Sequence, residues 1–200
     1  MSTDDNKPVP ADAALWTDLR RLTAARIGLK RSGASLSTAP LLAFQLAHAQ
    51  ARDAVHAELD APRLADDLAP HGLPVLTVDS TASDKQTYLM RPDLGRSLTP
   101  DSQRTIAAAA HAGPYDVVFV VSDGLSARAV QNHAAPVVSA TLQILRREDW
   151  RLAPLVIVNH GRVAIGDAVA AALRATCVVV LELWSKVGDG VDQEGGISWG

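Results

Sequence analysis

Ser126 is the residue of this chain whose type and position come nearest to chemistry. It follows the apolar, β-branched run Val117 to Val121 and the turn Ser122-Asp123-Gly124. A run of that composition reads as a strand buried on both faces, and the helical pattern after the turn marks the carboxyl edge of a parallel sheet. A serine there resembles a nucleophile elbow. That motif requires glycine two residues beyond the serine, because the sharp turn leaves no room for a side chain. Arg128 holds that place, and no histidine stands in a context that marks it as the partner base. The residues favour Ser126 as a first-turn cap or a donor to a bound ligand; a hydrolase using Ser126 is the alternative.

A second turn carries Asn159-His160-Gly161-Arg-Val163-Ala-Ile-Gly166-Asp167. Two glycine-bearing turns side by side at a sheet edge would form a crevice, where open α/β folds bind ligands on helix N-termini. The plainer reading is that Asp123 and Asp167 cap their own helices. Neither turn supplies Gly-x-Gly-x-x-Gly, and no phosphate-binding P-loop occurs, which argues against nicotinamide and nucleoside-triphosphate chemistry. The histidines at 48, 56, 71, 111, 133 and 160 pair with no cysteine or carboxylate at metal-ligand spacing, so no metal site is expected. His160 differs from the rest only in sitting in a strand-to-helix turn.

The elements that must hold these turns follow from periodicity. Residues 1–14 are polar and proline-punctuated and read as a disordered lead-in. Apolar positions at helical spacing predict a helix over 15–29 and a second over 40–59, opened by Pro40 behind a Ser37 or Thr38 cap. Residues 15–71 thus read as an all-helical N-terminal domain. From residue 72 strands and helices alternate. Strands are expected over 72–78, 117–121, 155–158 and 177–181, and helices over 99–112, 125–147 and 165–175, with Pro136 kinking or dividing the middle one. That alternation argues for α/β architecture, a Rossmann-like, doubly wound parallel sheet over 72–183. The connection 78–99 is long, polar and irregular, the kind of loop that tends to be functional or mobile. Residues 184–200 read as an irregular, glycine-rich tail.

Composition narrows the class. At 48% hydrophobic and 20% charged residues the chain is globular, and its formal charge of −3 argues against nucleic acid. The lone Cys177 sits in an apolar run and gives no disulfide framework. No apolar segment is long enough to span a membrane, and the N-terminus lacks a signal-peptide core. A cytoplasmic, soluble protein is expected.

Five segments in register resemble the small (light) subunit of ethanolamine ammonia-lyase. They are Arg26-Ile-Gly-Leu-Lys-Arg-Ser-Gly33, Gln50-Ala-Arg-Asp-Ala-Val55, Tyr88-Leu-Met-Arg-Pro-Asp-Leu-Gly-Arg96, the run from Asp116 to Val130, and Gly161-Arg-Val-Ala-Ile-Gly-Asp167. The resemblance implies an adenosylcobalamin-dependent lyase that converts ethanolamine to acetaldehyde and ammonia, within the cytoplasm or a bacterial microcompartment. It implies a partner, the large (heavy) subunit, whose (β/α)₈ barrel holds the substrate, and no catalytic residue in this chain. The cofactor-contacting valine of the family falls on Val163; Asp123, Gly124 and Ser126 are further cofactor-binding candidates from their place at the sheet edge. The family continues after its last strand with a Gly-Glu-Arg-Pro-Gly loop and later a cofactor-contacting cysteine. Here Trp184 stands in the register of that glutamate, Glu182 lies two positions earlier, and the cysteine has no counterpart. That departure raises a second expectation, a subunit that assembles without holding cobalamin.

Overall fold

The computed structural model describes residues 11–183 apart from 24, 26, 30, 33, 111–113 and 125. The expected lead-in before residue 11 and the tail from Trp184 onward lie outside the described residues. Two compact units divide between Gln50 and Ala51.

In the first unit α1 (Ala11–Arg21) begins inside the stretch read as a lead-in and stops well short of the expected residue 29. It stops because its own side chains hold the next segment back against it. The Arg20 guanidinium donates to the carbonyl oxygens of Ile27 (3.0 Å) and Gly28. Gly28 takes φ +58, and the Trp16 ring fills the space a side chain there would need. A two-residue antiparallel ladder follows, β1 (Arg31–Ser32) against β2 (Ser35–Leu36). The expectation of an all-helical N-terminal region is therefore corrected, since so short a ladder leaves no periodic signal. Helix α2 (Thr38–His56) then runs from the first unit into the second.

After the end of α2 the second unit continues with α3 (Ala61–Leu68), which periodicity did not reveal. Its start is nonetheless written locally, because Asp60 accepts from the Arg63 N–H (3.1 Å) and Pro62 occupies the first turn. Then come β3 (Val75–Asp79), α4 (Lys85–Met90), a 3₁₀ turn (Leu94–Arg96), α5 (Pro100–Ala109) and β4 (Tyr115–Ser122). The remainder is α6 (Ala127–Leu145), β5 (Leu155–Asn159), α7 (Ile165–Leu173) and β6 (Ala175–Leu181). Pro136 does not divide α6, which is assigned as one helix through it. The connection before α5 is more ordered than its composition suggested, since it contains α4 and the 3₁₀ turn.

The four strands are parallel in the order β3-β5-β4-β6. Alternate residues serve opposite faces, as the pleat requires. Val117, Phe119, Val121, Leu155 and Ile157 pack with Leu64 and Leu68 of α3 and Val130, Val138 and Leu142 of α6. Val118, Val120, Val156 and Val158 pack with Ile106 of α5 and Ile165, Val169 and Leu173 of α7. Connections moving one way along the sheet, β3 to β4 and β5 to β6, use α5 and α7 on one face. The return from β4 to β5 uses α6 on the other, the arrangement a single crossover hand demands. Adjacent β4 and β5 thus send their chains to opposite faces.

Leu64 is fully buried in the cluster under α3, so Leu64→Ala should lower unfolding free energy by about 2–5 kcal/mol. Chemical denaturation measures this; a loss below about 1 kcal/mol would show that α3 is not part of the sheet's core.

Candidate functional site

At the carboxyl edge the turns after β4 and β5 are joined directly. The Ser122 hydroxyl donates to the Gly161 carbonyl (2.7 Å), and a side chain at Gly161 would lie 2.8 Å from that same hydroxyl. The gap the sequence suggested between these turns is therefore closed. The cavity of about 570 Å³ lies to one side, over the α7 face of β6. Val178 and Val180 of β6, with Val163 and Ala164 before α7, form its apolar wall; Tyr88, Arg96, Arg162, Asp167 and Glu182 supply polar groups.

The segment Tyr88–Arg96 is fixed onto the β5–α7 turn by the main chain and by one guanidinium. The Arg162 N–H donates to the Gly95 carbonyl (2.8 Å), and Arg162 Nη2 to the Tyr88 carbonyl (3.0 Å). The guanidinium carbon sits 4.5 Å from the centre of the Tyr88 ring, within cation–π range. Gly95 is needed there, since a Cβ would lie 3.0 Å from the Arg162 side chain and 3.2 Å from the His160 carbonyl oxygen. His160 itself holds a left-handed backbone (φ 53), while its carbonyl accepts from the Ser80 hydroxyl (2.7 Å). A non-glycine residue in that region costs on the order of 1 kcal/mol or more and is held by its surroundings. The imidazole stands 6.4 Å from the Tyr88 ring, and nothing around it forms a metal site; among the described residues no group of metal-ligating side chains occurs.

Below the cavity lies an ion pair. Lys85, only 8% exposed, donates to Asp123 Oδ2 (3.2 Å) and to the Gly124 carbonyl (3.1 Å); Asp123 is 2% exposed. Gly124 takes φ +41, and a Cβ on it would lie 2.8 Å from Glu182 Cγ. The turn after β4 is thus the surface on which the Glu182 side chain rests.

Burial pushes the Glu182 carboxyl above its ordinary value of 4.5 and Asp123 adds to the rise, while Arg162, the Val163 N–H and Lys85 oppose it. The Tyr88 hydroxyl is likewise pushed up to about 12, first by burial and then by Glu182, so it stays neutral. Among the described residues three buried polar atoms of this cluster have no hydrogen-bond partner: Asp123 Oδ1, Glu182 Oε1 and Arg162 Nε.

Of the four residues singled out in the sequence, Val163 lines the cavity and is 37% exposed. Asp123, Gly124 and Ser126 are buried and form no part of its wall. Ser126 caps α6, its hydroxyl accepting from the Ala129 N–H (3.2 Å). The residues that sequence reasoning missed are Lys85, Tyr88, Arg162 and Glu182. Glu182 carried a usable signal, being the first polar residue after a buried strand; Lys85 and Tyr88 carried none, because their partners are remote in the chain.

The fold is α/β, a four-stranded parallel sheet between helices, with an apolar cavity carrying a few polar groups at its edge. The family model for "Ethanolamine ammonia-lyase light chain (EutC)" matches residues 13–182, and the chain belongs to that family. Curated relatives named "Ethanolamine ammonia-lyase small subunit" agree. That of Ralstonia nicotianae is 48% identical over 183 residues, covering 90% of this chain and 68% of the relative. That of Azotobacter vinelandii is 50% identical over 174 residues, covering 86% and 64%. That of Pseudomonas syringae pv. tomato is 47% identical over 173 residues, covering 86% and 60%. The chain spans between 60% and 68% of the length of these relatives.

Because the folded protein holds the Glu182 proton more tightly than the unfolded chain, this group's contribution to stability falls as pH rises from 4.5 to the raised value and is level above it. Glu182→Gln removes that fall. The stability of the variant relative to the parent should climb across this window, as followed by urea midpoints at a series of pH values; a difference that does not change with pH would contradict a buried, proton-retaining Glu182.

Proposed function

We propose that this chain is the small subunit of an ethanolamine ammonia-lyase and that its cavity covers one edge of adenosylcobalamin, while the large subunit holds ethanolamine. The observation that carries this reading is that, among the described residues, an acceptor, Glu182 Oε1, and a donor, Arg162 Nε, both lack a partner in side chains that line an aliphatic shelf. A corrin is broad, partly apolar and fringed with primary amides, each of which donates and accepts at once. Each buried polar atom left unpaired carries a penalty of about 1–3 kcal/mol. A small side-chain rotation that met a rim amide would recover it at both atoms. The residues present therefore fit the group.

When bound, the cobalamin supplies the radical chemistry by which ethanolamine becomes acetaldehyde and ammonia. This chain's residues bind, orient and shield. Val163, Ala164, Val178 and Val180 exclude water from the apolar rim; Glu182 and Arg162 fix its rotation through the amides. Asp123, Gly124 and Ser126 act from below, as the turn and the α6 cap that hold the shelf's edge. In this reading the proton and radical steps on ethanolamine belong to the large subunit. Leu41, Leu42, Phe44 and Leu46 stand exposed along α2, apolar surface of the kind that associates with another chain. Among the described residues no helix is long and apolar enough to cross a membrane, in keeping with a cytoplasmic or microcompartment setting. The Rossmann-like description rests on the parallel sheet and on its cavity at the carboxyl edge.

Co-expression with a large subunit, followed by cobalamin absorbance of the purified complex, tests the reading. Retained corrin is expected. A stable complex without corrin would mean a subunit that serves assembly alone. Val163→Asp should weaken retention at least tenfold by setting an unpaired charge against an apolar rim; unaltered retention would remove Val163 from the site.

A further inference from the structure

Lysine is almost never buried unless paired, yet the mostly buried Lys85 does not reach the cavity wall. Its ammonium instead ties three things together. It donates to Asp123 Oδ2 at 3.2 Å and to the Gly124 carbonyl at 3.1 Å, and it lies 4.7 Å from the centre of the Tyr88 ring. Through these it links α4 to the turn after β4, and that turn is the surface under Glu182. We propose that Lys85 is a positioning residue for the cavity: it fixes the Gly124 turn beneath Glu182 and compensates Asp123, so that Glu182 remains a hydrogen-bond acceptor toward a ligand carboxamide.

The charges argue for this as strongly as the contacts. Glu182, just past β6, is acted on by Arg162 of the β5–α7 turn, Asp123 of the β4 turn and Lys85 of α4. Tyr88 of α4, Arg96 and Asp167 share its cavity. Asp123 is the nearby anion that opposes ionisation of Glu182, and Lys85 is the ammonium bonded to Asp123. With Lys85 gone, Asp123 would sit buried and uncompensated, and Glu182 would hold its proton to higher pH. A protonated Glu182 offers a donor on one oxygen and loses most of its strength as an acceptor, which is the wrong partner for the N–H₂ of an amide.

The ligand part of this inference rests on the cobalamin reading; the electrostatic part does not, and two measurements separate them. The first is carbon-13 carboxyl titration of the full chain, with Glu182 assigned through Glu182→Gln. Lys85→Met should raise the Glu182 midpoint, and an unmoved midpoint would overturn the inference whatever the chain binds. The second is the dissociation constant of adenosylcobalamin for the complex with the large subunit, by ultrafiltration and absorbance as a function of pH. Lys85→Met should weaken retention about tenfold to a hundredfold at low pH, with the defect shrinking as pH rises and Glu182 ionises. A defect equal at every pH, or none, would refute the positioning role. Should that variant fail to fold, Lys85→Met with Asp123→Asn removes both charges together; retention should then be weakened with the pH profile of the parent, and full retention would overturn the proposal. A parent complex that holds no cobalamin, with the carboxyl midpoint still shifted in Lys85→Met, would defeat the cofactor reading and leave the charge linkage standing.

Discussion

A buried ammonium is the constraint around which the sheet edge is arranged. Lys85 is taken out of water together with Asp123, and the desolvation of both charges is offset only because the ammonium has two oxygen partners and an aromatic face. Breaking such a pair by removing one member costs on the order of 3–5 kcal/mol, much of it from the charge left behind. The pair therefore dictates where α4 lies, and α4 in turn sets Tyr88 against the guanidinium of Arg162. From there the chain reaches Gly95, whose carbonyl accepts from the Arg162 main chain. Each of these contacts presupposes the one before it.

Besides Gly95, glycine serves this edge at two further places for two reasons. At Gly161 the requirement is space, since the turn after β5 presses on the Ser122 hydroxyl and on Val158. At Gly124 both space and conformation matter, because a positive φ coincides with the close approach of Glu182. The consequence is a sealed seam between β4 and β5 and a cavity displaced onto the outer strand β6. A ligand there meets aliphatic side chains of a strand and the first residues of α7 rather than the row of helix N-termini that phosphate-binding sheets present. The lack of any phosphate fingerprint in the chain and the apolar character of this wall are two aspects of one preference.

The linked charges at and behind the cavity wall are close to balance, the cations Lys85 and Arg162 against the carboxylates Asp123 and Glu182, while Arg96 and Asp167 complete the wall itself. Low local polarity makes each of them matter, because an unpaired group there is costly and a paired one is strong.

Much of this molecule was legible in its residues. The strands over 117–121, 155–158 and 177–181 announced themselves as apolar β-branched runs. The cap Ser126 announced itself as a hydroxyl before a helical pattern. These are local facts: burial on both faces forces apolar runs, and a helix end demands an acceptor within three residues. Three features came only with the tertiary structure: α3 on the sheet, the two-residue ladder near residue 33, and the order within the connection before α5. The site itself belongs with them. Lys85 meets Asp123 across 38 positions, Arg162 meets Tyr88 across 74 and Ser80 meets His160 across 80. Periodicity reports which face of an element is hidden from water; it carries no information about which distant loop will be brought against it. That is decided when the crossovers fold the chain over both faces of the sheet and leave three strand ends side by side.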